Sequence, residues 1–382
     1  MKYVDEFRDG ALARELAQRI HREAVRPIKL MEVCGTHTMA IARHGIKSLL
    51  PENVKLISGP GCPVCVTPQS HIDRFIELGR SPDTILTTFG DMIRVPGNDT
   101  TLEAERARGA DVRVVYSPLD AVEIARENPE KRVVFFGVGF ETTTPAVALA
   151  VIEARNIGLA NFHVLSAHKV IPPAMAALAS DPEIAIQGLI CPGHVSTILG
   201  SDAYEPLVRQ FGIPCVITGF EPLDILQAIL MLVRQAMEGR AEVEVQYSRA
   251  VSKEGNPAAA RCVASVFEPE DTEWRGLGII PASGLRLRPE FADFDASRFL
   301  PQMKETSTEH TVCECGSILK GLKSPSDCRA FGVACTPENP LGPCMVSNEG
   351  ACAAEYRYSS PTLTLTPTLT LTQESGELPG SA

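Results

Sequence analysis

The chain has no apolar run of about 18 residues, so nothing in it reads as a membrane span. It has no basic run either. Lys and Arg number 36 against 47 Asp and Glu, a net charge of −11. Such a surface suits neither nucleic acid nor an anionic membrane. The first residues, Met1-Lys2-Tyr3-Val4-Asp5-Glu6, lack the charged-then-apolar order of a signal peptide, so the cytoplasm is the expected compartment. Nucleotide-binding signals are weak too. Gly137-Val138-Gly139-Phe140-Glu141-Thr142-Thr143 follows a strand-like run and opens a helix-like one, and its backbone could cradle an anion. It has no P-loop lysine and is not a G-x-G-x-x-G.

Cysteine is what the chain has in excess. There are 12 in 382 residues, and six of them fall between 313 and 352. In a reducing compartment such a cluster points to metal or redox chemistry rather than structural disulfides. The rest of the composition, 44% hydrophobic and 22% charged, is that of an ordinary soluble protein. At roughly 100–200 residues per domain, the length predicts two or three domains.

Residues 5–26 have a helical, amphipathic pattern. Short apolar, β-branched runs then alternate with helical segments. The runs are 28–33, 54–58, 84–89, 112–116, 133–136, 163–166, 188–191 and 215–218. Buried runs separated by helices indicate parallel sheets. Eight units fit either a barrel or two doubly wound domains. A weak echo favours the second. Pro118-Leu119-Asp120 follows the fourth run and Pro222-Leu223-Asp224 the eighth, while Cys34-Gly35-Thr36-His37-Thr38 and the Gly139 segment follow the first and fifth. The expected fold class is α/β: two similar doubly wound parallel-sheet domains plus a C-terminal iron–sulfur domain. The expected divisions are an N-terminal helix over 1–27, domains over 28–130 and 131–242, an iron–sulfur domain over 243–358 and a disordered tail over 359–382. Within the third, 243–247 and 262–267 read as strand-like among Gly and Pro turns. The tail is a Thr/Leu/Pro alternation of low complexity.

In parallel α/β folds, ligands bind at the carboxyl ends of strands, and the informative residues fall there. Cys62 and Cys65 form a C-x-x-C before a helix expected over 67–78. The positive end of a helix lowers a thiol pKa. Two such thiols can bind a soft metal or cycle as a disulfide. The plainer alternative is two inert cysteines beside a Gly-Pro turn. Cys34 ends the first run, either as a thiol ligand or as a small packing residue. His37, three positions on, could orient or protonate something bound there. Asp91 and Glu141 lie in strand-end turns suited to proton transfer, or to bonding their own backbone. Thr142 or Thr143 as a helix cap is the modest reading of the Gly139 segment. Cys191, Cys215 and Cys262 have no partner spacing and read as packing residues.

The C-terminal cysteines are Cys313, Cys315, Cys328, Cys335, Cys344 and Cys352. This segment has no C-x2–4-C pair of the kind structural zinc prefers. Wide single spacings suit an iron–sulfur cluster wrapped by loops. Four ligands would leave two thiols over, and a spare pair beside a cluster could take its electrons as a disulfide.

Taken together, these motifs resemble the HypD family of maturation factors for iron–nickel hydrogenases. The pieces are Cys34-Gly35-Thr36-His37, Gly59-Pro60-Gly61-Cys62-Pro63-Val64-Cys65, Phe89-Gly90-Asp91-Met92, Gly139-Phe140-Glu141-Thr142-Thr143, Pro192-Gly193-His194-Val195-Ser196 and the segment from Cys335 through Cys344 to Cys352. The resemblance runs from about residue 5 to 358. It implies two similar α/β domains and a third with a 4Fe–4S cluster. It also implies a role in building the Fe(CN)2(CO) unit destined for the hydrogenase large subunit. The implied partners are a HypC-type small chaperone, whose cysteine co-ligates the iron, and a HypE-type cyanide donor. Cys34 matches the iron-binding thiol, and Cys62 with Cys65 the redox-capable pair. The family spacing C-x14-C-x6-C-x16-C falls on Cys313, Cys328, Cys335 and Cys352, leaving Cys315 and Cys344 as a redox pair. Exchanging Cys313 and Cys315 fits almost as well. His37, Asp91 and Glu141 become candidates for placing diatomic ligands or moving protons. A general thiol–disulfide oxidoreductase and a zinc-stabilised interaction module are the rival readings.

Overall fold

The computed structural model describes residues 5–300 and 312–359. The expected tail beyond 359 lies outside them. The β-branched runs form strands β1 (Ile28–Glu32), β2 (Val54–Ser58), β3 (Thr84–Thr88), β4 (Asp111–Val114), β5 (Arg132–Gly137), β6 (Phe162–Ser166), β7 (Gly188–Pro192), β8 (Cys215–Thr218) and β9 (Val243–Val245). A hairpin follows, β10 (Phe267–Trp274) and β11 (Gly278–Leu287). The helices are α1 (Gly10–Glu23), α2 (Gly35–Arg43), α3 (Pro63–Val66), α4 (Gln69–Leu78), α5 (Leu102–Ala107), α6 (Pro118–Glu127), α7 (Thr144–Asn156), α8 (Ile171–Ser180), α9 (Gly193–Leu199), α10 (Glu205–Phe211), α11 (Pro222–Glu238), α12 (Pro257–Val266), α13 (Cys315–Leu319), α14 (Pro343–Val346) and α15 (Ala351–Ser359). None of the described helices is long and apolar enough to cross a membrane.

The strands form two all-parallel sheets, ordered β2-β1-β7-β8-β9 and β4-β3-β5-β6. Strands β3 and β7 are buried along their whole length, as helices on both faces of a parallel sheet require. Counted within its own sheet, the first follows the order 2-1-3-4-5 and the second 2-1-3-4, the doubly wound pattern with a switch point between the first and third strands. The α/β class with two similar doubly wound sheets is as expected.

Their boundaries in the chain are not. The second sheet, β3 to β6, is inserted between β2 and β7 of the first, so neither 28–130 nor 131–242 is one sheet. Nor does 243–358 form one packed unit. Strand β9 completes the first sheet, α12 packs on α7, and β11 packs on α8. The 262–267 run is helical up to Val266, because Asn256 caps α12 and Pro257 pre-sets its first turn. The two Pro-Leu-Asp echoes start α6 and α11, each with proline in the first turn and an Asp-containing capping box. They follow β4 and β8, which are not equivalent strands, so the likeness is a shared helix-start solution rather than a trace of duplication.

One apolar core lies between the sheets. It joins Met31 and Val33, Leu86, Val134 and Phe136, and Leu189, and it continues to Cys315, Ile318 and Cys344. The C-terminal segment is thus packed into the same core.

Asp224 anchors the end of the first sheet. It is fully buried, and its carboxylate accepts Arg249 Nη1 at 2.9 Å, Arg249 Nη2 at 2.5 Å and Gln246 Nε2 at 2.8 Å. Removing one partner of a buried ion pair costs about 3–5 kcal/mol. Asp224→Ala is expected at the lower end, about 3 kcal/mol, because Arg249 keeps some access to water. Urea unfolding of the variant against wild type measures this.

Candidate functional site

Cys34 leaves β1 at the first sheet's switch point, opposite Pro192-Gly193-His194 at the end of β7. The topology therefore places these two segments at the crevice where doubly wound sheets bind ligands. Cys34 is the N-cap of α2 in extended conformation. Its thiol lies 4.0 Å from both ring nitrogens of His194.

The loop after β2 is pressed against this point. Gly59 N donates to Glu32 O at 2.8 Å, and Gly35 N donates to Gly61 O at 2.8 Å. A side chain at position 61 would put its Cβ 2.1 Å from Cys34 N, so only glycine fits. This brings Cys62 and Cys65 beside the Cys34 loop, where they are joined as a disulfide. They do not precede one long helix over 67–78. They sit on the single turn α3, and Pro68 separates it from α4. One turn supplies only part of a helix dipole.

Burial, and then the Glu349 carboxylate, push the Cys34 thiol up to about 12, against the favourable N–H groups of His37 and Thr36. Glu349 is tied there by Thr36, whose hydroxyl donates to it at 2.7 Å. His37 turns away from the thiol. Its Nε2 lies 2.9 Å from Gly219 O, and its ring stacks on Phe220 at 4.8 Å. Burial pushes it down to about 4, so it is neutral at pH 7. The imidazole facing the sulfur belongs to His194, which burial also lowers. Its clue in the sequence is its place in a Pro-Gly-His turn at a strand end.

Asp91 and Glu141 lie at the ends of β3 and β5, the switch point of the second sheet. Asp91 accepts Ser347 Oγ at 3.2 Å and Asn348 N at 3.4 Å. Residues 347–349 therefore bridge the exits of β3 and β1. Glu141 is buried and accepts Ile171 N at 2.8 Å, at the start of α8 rather than in the Cys34 crevice. Thr143 makes no side-chain cap; Thr144 Oγ1 instead donates back to Phe140 O at 3.0 Å.

The C-terminal segment wraps the cysteines around one cavity. Cys313, Cys315, Cys328, Cys335, Cys344 and Cys352 all line it, with Ile318, Ala330, Phe331, Leu341 and Met345 between them. Cys315 Sγ and Cys344 Sγ are 2.7 Å apart. Cys335 Sγ accepts Leu341 N at 3.3 Å. Burial, then the neighbouring thiols Cys315, Cys313, Cys335 and Cys328, push the Cys352 thiol well up. Among the described residues no three His, Cys, Asp or Glu side chains are placed to hold a single metal ion. The thiols line a shared space. Helix α14, which carries Cys344, packs on α3, which carries Cys65, and α15 packs on α2. The cysteine-lined cavity, the C-x-x-C and Cys34 are thus linked through packed elements. Cys191 and Cys215 are buried side by side on β7 and β8, and Cys262 is half-buried with its thiol toward Pro145 O.

Burial raises the Glu141 carboxyl from 4.5 to about 7. Its protonated form is favoured in the folded chain, so the folded state binds the extra proton between these values. Stability therefore falls as pH rises from about 4.5 to about 7, by roughly 3 kcal/mol at 1.36 kcal/mol per unit. Glu141→Gln should flatten this part of the profile. Urea unfolding of both proteins at pH 5 and pH 8 checks it, and parallel profiles would contradict it.

The sequence has known counterparts along nearly its whole length. The HypD family profile, described as "Hydrogenase formation hypA family", matches residues 11–359. The hydrogenase maturation factor HypD of Azotobacter vinelandii is 55% identical over 367 residues, covering 94% of this chain and 97% of that protein. HypD2 of Bradyrhizobium diazoefficiens is 51% identical over 368 residues, with 94% and 97% covered. HypD of Escherichia coli is 44% identical over 366 residues, with 94% and 98% covered. With the profile matched along nearly the whole chain and such identities spanning the relatives from end to end, this chain belongs to the HypD family of hydrogenase maturation factors.

Proposed function

We propose that the chain is the scaffold on which the Fe(CN)2(CO) unit of iron–nickel hydrogenase is assembled. The iron is cargo, held by Cys34 together with a cysteine of a HypC-type chaperone. Cyanide comes from a HypE-type donor, and the finished unit passes on to the hydrogenase large subunit. The observation that carries this reading is the packing of α3 between the Cys34 loop and α14, which links the crevice to the cysteine-lined cavity.

The crevice chemistry follows from burial. A thiol held at about 12 stays protonated at pH 7 until a soft cation binds. His194, facing the sulfur and uncharged, is placed to take the proton released. Glu349 opposes a bare thiolate and so favours one neutralised by metal. The walls of the crevice exclude water from the reacting sulfur.

The cavity fits a 4Fe–4S cluster in its donor set, since six thiols and apolar side chains line it. Cys313, Cys328, Cys335 and Cys352 are the proposed ligands, because Cys315 and Cys344 already face each other. When bound, the cluster supplies one-electron transfer. The protein's own part is a disulfide relay. The Cys62–Cys65 bond takes two electrons and two protons to open, and the Cys315/Cys344 pair is the dithiol on that side of α14. Such disulfides stay reducible in the cytoplasm, the proposed compartment.

Cys34→Ala should keep the broad visible absorption of the purified protein and abolish hydrogenase maturation. Complementing a strain that lacks the gene measures this, and full hydrogenase activity would remove Cys34 as the iron site. Cys328→Ala should lose that absorption together with acid-labile sulfide. A variant with an unchanged spectrum and unchanged iron and sulfide content would take Cys328 out of the ligand set.

A further inference from the structure

The second sheet has a switch point of its own, between β3 and β5. Doubly wound sheets bind ligands at such points. A cavity of about 420 Å3 opens at the exit of β3, the size of a small-molecule site. One wall is that exit, with Gly90, Asp91 and Arg94. The other is the C-terminal segment, with Asn348, Tyr356 and Arg357. Two guanidiniums from distant parts of the chain therefore line one hollow. The bonds of Ser347 and Asn348 to Asp91 hold its two walls together.

Neither arginine has a carboxylate partner among the described residues. Arg94 Nη2 donates to Pro337 O, and Arg357 Nη2 donates to Asn348 Oδ1 at 3.2 Å. Both acceptors are neutral, and the other N–H groups of each guanidinium are left for a ligand. Elsewhere in this acidic chain Arg8, Arg113, Arg234 and Arg249 each grip a carboxylate. Asp91 stands in the same hollow but is turned to Ser347 and Asn348 instead.

Two guanidiniums and one carboxylate sum to a single positive charge, which one negative charge offsets. A dianion such as phosphate would leave negative charge in excess beside Asp91. A guanidinium fork also matches the two oxygens of a carboxylate. Met345 and Val346 add apolar surface, and Tyr356 adds a ring. We propose that this cleft binds a single carboxylate group on an apolar stem, held between Arg94 and Arg357. An occupant there ties the exit of β3 to α15 and clamps the C-terminal segment onto the second sheet. The site requires neither iron at Cys34 nor a cluster.

The test uses the full chain, purified without oxygen, with its arginines labelled by phenylglyoxal. Mass spectrometry of the peptides holding Arg94 and Arg357 gives the rate at each. Benzoate is the probe, benzamide its uncharged counterpart and phenylphosphonate its dianion, all at equal millimolar concentration. Benzoate should slow labelling of both arginines by about threefold or more. Arg126, already paired with Glu123, is the control and should not change. Benzamide should leave the rates unaltered, and phenylphosphonate should protect less than benzoate. In Arg94→Gln, benzoate should no longer protect Arg357. Equal rates in benzoate and benzamide, equal slowing at Arg126, phenylphosphonate protection that matches or exceeds benzoate, or protection of Arg357 retained in Arg94→Gln overturns the proposal. If circular dichroism shows Arg94→Gln unfolded, the wild-type rates alone decide. The carboxylate can belong to a free acid or to this chain, since Glu374 and Glu377 follow α15 in sequence. With both changed to Gln, faster labelling of the two arginines without additive marks the chain's own carboxylates as the occupant, and an unchanged rate marks a free acid. Either result upholds the site, provided benzoate protects.

Discussion

The contact of Gly61 with the backbone of Cys34 is the constraint on which the rest depends. It presses the exit of β2 onto the exit of β1, with no room for a single extra carbon. Because β1 lies at the switch point of its sheet, that contact holds the C-x-x-C beside the residue best placed to hold a ligand. The C-terminal segment then closes over both, with Glu349 on Thr36 and residues 347 and 348 on Asp91. Two sheets, separate in hydrogen bonding, are bridged at their strand exits by this third segment, which is bonded to both.

Burial is the leading influence on the thiols of Cys34 and Cys352, whereas those of Cys313, Cys315 and Cys344 answer first to one another. Thiols that burial keeps protonated are inert toward water and stray oxidants and become good ligands only when a cation arrives. The crevice carries a carboxylate beside its thiol, Glu349.

Much of the fold was legible in the pattern of residues. Runs such as 84–88 and 188–192 are apolar because both faces of a parallel strand are covered, and they read as strands for that reason. The cysteines beyond 312 were legible as one site, since no packing requirement gathers six thiols in 40 residues of sequence. The division of strands between sheets was not legible. Strands β2 and β3 are neighbours in sequence and belong to different sheets, and nothing in either run says which edge it will pair with. The helix at 257–266 was misread because its apolar residues match a strand until Asn256 and Pro257 are seen to start a turn. His194 and Glu349 escaped as partners of Cys34, being 160 and about 315 positions distant along the chain.

The class of fold, the strand-end position of Cys34 and of the C-x-x-C, and the family can be read from the residues alone, because these are encoded in short runs whose composition and spacing carry their own physical reason. Long-range packing alone settles which imidazole faces Cys34, that the C-terminal segment bridges two sheets, and that Arg275 is buried with an N–H to spare. Those facts depend on close approach between residues far apart in the chain, and such contacts are set by how the whole core packs.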